Sequence, residues 1–90
     1  MNTYSSVSYF EALHLQKENK HDEAISVFES IIDNNGANLG LFIRLGELYE
    51  KSQLKDKAIS TYKRGILLAQ KVSNKKAERF LSYMLLGLLE

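Results

Sequence analysis

The chain has 90 residues and a mass of 10.3 kDa, room for one domain with a modest core. Leu, Ile, Val and Phe make up 27 of the 90 residues, too many for a disordered chain, and the absence of cysteine removes disulfides, thiolate nucleophiles and cysteine-based zinc sites. The net charge of +1 conceals a −5 balance over residues 1–50 and a +6 balance over residues 51–90, an asymmetry suited to head-to-tail association or to an acidic ligand near the C-terminal half.

Proline is absent and there are only five glycines, so little interrupts a helix. Apolar residues recur at spacings of three and four, and this periodicity predicts helices near 6–18, 21–33, 39–51, 54–72 and 75–89. In the first, Ser8 and Glu11 have capping-box spacing, which would move its start to Tyr9. Asp22 supplies a carboxylate near the N-terminus of the second, where the helix dipole favours it. The run Asp33-Asn34-Asn35-Gly36 is the strongest stop in the chain, and Asn38 can cap the third helix. Ser52-Gln53 and Ser73-Asn74 are weaker breaks. The last helix carries Leu81, Tyr83, Met84, Leu85, Leu86, Leu88 and Leu89, apolar on almost every face, and such a helix calls for partners on more than one side.

Shifting the chain against itself by 34 residues aligns like with like. Ala12 meets Gly46, Leu15 meets Tyr49, Asp22 meets Asp56, Ala24 meets Ala58, Ile25 meets Ile59 and Phe28 meets Tyr62. A period of this length, built from two helices, marks a repeat architecture. Small residues let antiparallel helices approach, and the aromatics fill the space between them.

These residues resemble the tetratricopeptide repeat family. Phe42, Leu45-Gly46, Tyr49, Ala58, Tyr62 and Gly65 match its pattern in the second repeat, while the first is looser, with Ser8, Glu11 and Leu15 at apolar or aromatic positions. Tyr83, Leu86-Gly87 and Leu89 echo Phe42, Leu45-Gly46 and Leu48 at an offset of 41, close to the longer repeats of kinesin light chains; the proline usual between repeats is missing. The resemblance implies an all-α, right-handed superhelical array of antiparallel helix hairpins, an α-solenoid of about five helices in a single domain over 1–90. Repeat one would span about 5–38 and repeat two about 39–79, with a partial third repeat or capping helix over about 80–90.

It further implies a protein-interaction scaffold that binds a peptide or helical segment of a partner in a concave groove. By position, Ser6, Tyr9, Phe10, Leu13 and Lys17 would line that groove from repeat one, and Gly40, Ile43, Arg44, Glu47 and Lys51 from repeat two. Chaperone-binding members clamp a C-terminal carboxylate with lysine and asparagine, but Tyr9 and Leu13 stand at those places, so the clamp is absent. The expected partner is an acidic or amphipathic protein segment. The alternative is a homo-oligomerisation module, a homodimer through Leu81, Met84, Leu85 and Leu88, within a larger regulatory protein; an ending inside a Leu-Gly motif favours a chain that continues.

No enzyme is expected. There is no Gly-x-Ser-x-Gly elbow and no glycine-rich phosphate loop. Glu11-x-x-His14 has the spacing of di-iron bundles, but no second such motif faces it, so no metal and no cofactor are expected. The basic residues Lys55, Lys57, Lys63, Arg64, Lys71, Lys75, Lys76 and Arg79 could meet phosphates, yet a pI near 8.0 and tyrosines at packing positions argue against nucleic acid. With no secretory signal pattern at Met1–Phe10 and no apolar run of membrane-spanning length, a soluble cytoplasmic protein is expected, with no membrane partner.

Overall fold

The computed structural model describes residues 3–33 and 38–90, with side chains from Ser8 onward. The described residues form five helices and no strand: α1 (Thr3–Lys17), α2 (His21–Asp33), α3 (Leu39–Lys51), α4 (Lys55–Lys71) and α5 (Lys75–Leu89). None is long and apolar enough to cross a membrane. The all-α helical repeat expected from the 34-residue period is therefore the observed architecture. The Asn34-Asn35-Gly36 stop and the Ser6 side chain lie outside the described residues.

Helix ends follow local chemistry at most points. Asp22 and Glu23 sit in the first turn of α2, next to its unpaired amides. Asn38 caps α3, its side-chain oxygen accepting from the Leu41 amide at 2.9 Å, and Asn74 caps α5 by accepting from the Ala77 amide at 3.0 Å. The capping box at Ser8 is not used. Because α1 begins upstream at Thr3, Ser8 lies inside the helix, where its amide is already committed to the preceding turn.

Three turns share one device. Asn19, Gln53 and Ser73 adopt φ of 63°, 62° and 59°, and the following residue donates its amide back to a carbonyl five positions earlier: Lys20 to Leu15 at 2.9 Å, Leu54 to Tyr49 at 2.8 Å and Asn74 to Ala69 at 2.8 Å. This is the Schellman closure, which satisfies helix-end carbonyls and reverses the chain. Asparagine tolerates the left-handed region, whereas glutamine and serine are strained there by about 1 kcal/mol. Gln53→Gly and Ser73→Gly should thus each stabilise the fold by about 1 kcal/mol, read as a higher midpoint in urea unfolding. A lower midpoint would show that Gln53 or Ser73 is held by side-chain contacts instead.

The chain divides into two compact units, Met1–Ala37 and Asn38–Glu90. In the first, α1 packs against α2, and Ala12, Ala24 and Phe28 are fully buried. Tyr9 closes this core with its ring edge-on to Phe28, centroids 6.1 Å apart. In the second unit α4 packs on both α3 and α5. Close approach depends on two glycines. A Cβ on Gly46 would lie 2.3 Å from Cε1 of Tyr62, and one on Gly65 would lie 3.0 Å from Leu81 and 3.1 Å from Phe42. The Tyr62 ring therefore rests directly on the α3 backbone, and all three helices converge at Gly65.

The packing of α5 departs from the 41-residue echo. Leu45 and Leu48 of α3 are buried, but their counterparts Leu86 and Leu89 are 60% and 57% exposed. The inward stripe of α5 is instead Leu81, Leu85 and Leu88, which repeats the spacing of Leu41, Leu45 and Leu48 with an offset of 40. One residue of shift rotates a helix face by about 100°, so the Leu86-Gly87 pair points away from the hairpin.

Candidate functional site

The residues expected to line a groove fall on two faces, one in each unit. On α1, Phe10 is 68% exposed, Lys17 is exposed and Leu13 is half-buried. Tyr9 is half-buried between Phe10 and Phe28, with ring centroids 6.2 and 6.1 Å away, so it belongs in part to the core of its own unit. On α3, Gly40, Arg44 and Lys51 are exposed, while Ile43 and Glu47 are half-buried.

Within the second unit, α3 and α5 enclose a cleft. Glu47, Glu50 and Lys51 form its α3 wall and Met84 its α5 wall. It continues past Gly87 and Leu88, with Tyr83, Leu86 and Glu90 on the rim. Two residues expected at a self-association surface, Met84 and Leu88, thus turn toward this cleft. Leu81 leaves that surface altogether, being fully buried against Gly65, and Leu85 is half-buried on the same side of α5. An apolar residue occurs at nearly every turn position of α5, so periodicity could not separate its inner from its outer side.

Glu50 was not among the expected lining residues, although it lies three positions beyond Glu47 and so shares its face. It accepts a hydrogen bond from the buried Tyr62 hydroxyl at 2.5 Å. Burial foremost, then this bond and the negative charges of Glu50 and Glu47, push the Tyr62 phenol well above its ordinary value. The carboxylate is thereby positioned at the edge of the cleft.

The remaining polar candidates are held elsewhere. His14 pairs with Glu18 at 3.2 Å, one turn on, rather than with Glu11. Among the described residues no three His, Asp or Glu side chains come together as a metal site. Of the basic residues, Arg64 lies over the Phe42 ring at 5.2 Å and Lys57 near the Tyr49 ring at 5.9 Å, so both cover aromatic core residues of the hairpin.

No protein-family model matches the sequence, and no curated protein matches it. Solved structures do. The solution NMR structure of a tetratricopeptide repeat domain protein from Salinibacter ruber superposes with a TM-score of 0.84 at 27% identity, covering 93% of this chain and 85% of that one. A crystal structure of a tetratricopeptide repeat domain protein from the same organism gives 0.80 at 27% identity, covering 93% of both chains. Taken with the 34-residue period, the buried aromatic on Gly46 and the helix-hairpin architecture, these likenesses support an assignment to the tetratricopeptide repeat family.

Proposed function

We propose that the chain is a non-catalytic protein-interaction module that binds a basic amphipathic segment of a partner protein in the cleft between α3 and α5. The observation that carries this reading is the composition of the cleft. Apolar Met84 and Leu88 line it from α5, and two carboxylates of α3, Glu47 and Glu50, with Glu90 on the rim, stand against one ammonium group, Lys51. The apolar α5 side takes the hydrophobic stripe of a helix or extended peptide, and the acidic α3 side selects its flanking charge. The balance of charge here favours a basic segment over the acidic one suggested by the C-terminal half as a whole.

Titration with a Lys/Leu amphipathic peptide, followed by amide chemical shifts, tests the reading. Shifts should cluster at Glu47, Glu50, Met84 and Leu88, and an acidic peptide of the same length should leave them unmoved. Glu47→Lys should weaken the basic peptide by roughly five- to tenfold, equivalent to about 1 kcal/mol, with helicity unchanged. Shifts confined to other surfaces, or an affinity indifferent to Glu47→Lys, would remove the cleft from consideration.

A further inference from the structure

The outer face of α5 is self-complementary. Opposite the buried Leu81 and the half-buried Ala77 and Leu88, α5 displays Arg79, Tyr83 and Leu86, with its C-cap Glu90 following at the spacings four, three and four. These spacings keep all four on one stripe about three turns long. Tyr83 is 75% and Leu86 60% exposed, the two central apolar residues of the stripe. Arg79 and Glu90, at its ends, are exposed and make no ion pair within the chain among the described residues.

The order of the four is symmetric in chemistry. Laid antiparallel on a second copy, the stripe sets Arg79 opposite Glu90 of that copy and Tyr83 opposite its Leu86, and the two-fold axis repeats both pairs. Laid parallel, it would set Arg79 on Arg79 and Glu90 on Glu90. The charges therefore select one direction and one register, as an isologous contact requires. Antiparallel helix dipoles favour the same arrangement.

Gly87 supplies the space for the aromatic ring. It lies one turn after Tyr83, and a Cβ there would meet nothing within 4 Å. The hairpin already uses this contact internally, where the Tyr62 ring of α4 rests on Gly46 of α3, two helices running antiparallel. A bare glycine beside an exposed tyrosine on α5 presents both halves of that contact on one surface.

From this juxtaposition we propose that the chain forms a two-fold symmetric dimer through antiparallel pairing of α5 with α5 of a second copy. The ring of Tyr83 in each copy covers Leu86 and Gly87 of the other, and an Arg79–Glu90 ion pair closes each end. The interface uses the outer face of α5 and leaves Leu81, Leu85 and Leu88 in the fold of their own chain. Tyr83, Leu86, Gly87 and Glu90 also border the cleft, but Glu47 lies on α3, off the interface, so Glu47→Lys leaves the dimer intact.

Charge exchange tests it on the intact chain. Sedimentation equilibrium from micromolar to millimolar concentration should show a monomer–dimer equilibrium. Arg79→Glu alone, or Glu90→Arg alone, places two like-charged pairs at the interface and should weaken dimerisation by at least about tenfold. The double variant R79E/E90R restores opposite charges at both ends and should return affinity to within about threefold of the original. Both sites are exposed, so circular dichroism should report unchanged helicity throughout. A monomer at every concentration overturns the proposal, as does a dimer that tolerates the single reversals or that the double exchange does not restore. Persistent monomer would leave the α5 face to a different protein.

Discussion

Gly46→Ala should destabilise the protein by about 3 kcal/mol, lowering Tm by roughly 12 °C or more. The added methyl would sit 2.3 Å from Cε1, 2.7 Å from Cζ and 2.8 Å from Cδ1 of Tyr62, and none of these atoms is a flexible end that can swing aside. The ring is fully buried, and its hydroxyl is tied to Glu50. Relief then requires α3 and α4 to separate, which loosens the contacts at Gly65 where α5 also docks. Alanine is otherwise the better helix former by up to about 1 kcal/mol, so propensity alone predicts the opposite sign. Urea unfolding decides between them. Combining Gly46→Ala with Tyr62→Leu should cost less than the two single changes added together, because the smaller side chain removes the clash. A single variant within about 0.5 kcal/mol of the original would mean that the two helices are not held at this distance.

Tyr62→Phe should cost about 2 kcal/mol at neutral pH, since it deletes a hydrogen bond to a carboxylate while preserving the ring. Its second effect is on pH dependence. In the folded protein the phenol is held protonated beyond its ordinary pKa of about 10, chiefly by burial, whereas in the unfolded chain it ionises near that value. A raised folded pKa gives stability that is complete below about pH 10 and lost as pH rises further, because the unfolded state then releases a proton that the folded state retains. The loss from this one group is about 1.4 kcal/mol per pH unit. Stability curves measured from pH 8 upward should therefore fall less steeply above about pH 10 in Tyr62→Phe than in the original chain. Parallel curves would show that Tyr62 ionises in the folded state as readily as in the unfolded one.

Tyr62 and Gly46 also mark what could be read from the residues alone. A glycine where the earlier repeat has alanine, sixteen positions before a tyrosine that matches a phenylalanine, already predicts close helices and a buried ring. The hydrogen bond to Glu50 does not follow from that pattern, because it joins two helices through a carboxylate that looks like any other surface charge on α3. The same distinction holds at the turns. Asn38 is a recognisable cap, since its side chain acts within three residues, whereas Asn74, legible only as part of a weak break, caps α5 over the same distance. The positive φ at Gln53 and Ser73 is unexpected from residue type and is set by the back-bonded amides of Leu54 and Asn74.

Helix number, the repeat period and the helix limits other than the start of α1 were encoded in local chemistry, because spacing, capping and chain reversal act over a few residues and leave their mark on neighbours in the sequence. The facing of α5 was a different matter. With leucine, methionine or tyrosine available on almost every side, several rotations bury a comparable apolar area, and the 41-residue echo pointed to the Leu86 side. Packing resolved the choice by shape: Leu81 fits where Gly65 and Phe42 leave room, and that one contact turns Tyr83 and Leu86 outward between Arg79 and Glu90. Burial against a particular surface is a property of two elements at once, so only the folded chain could decide which leucines are core and which remain for a partner.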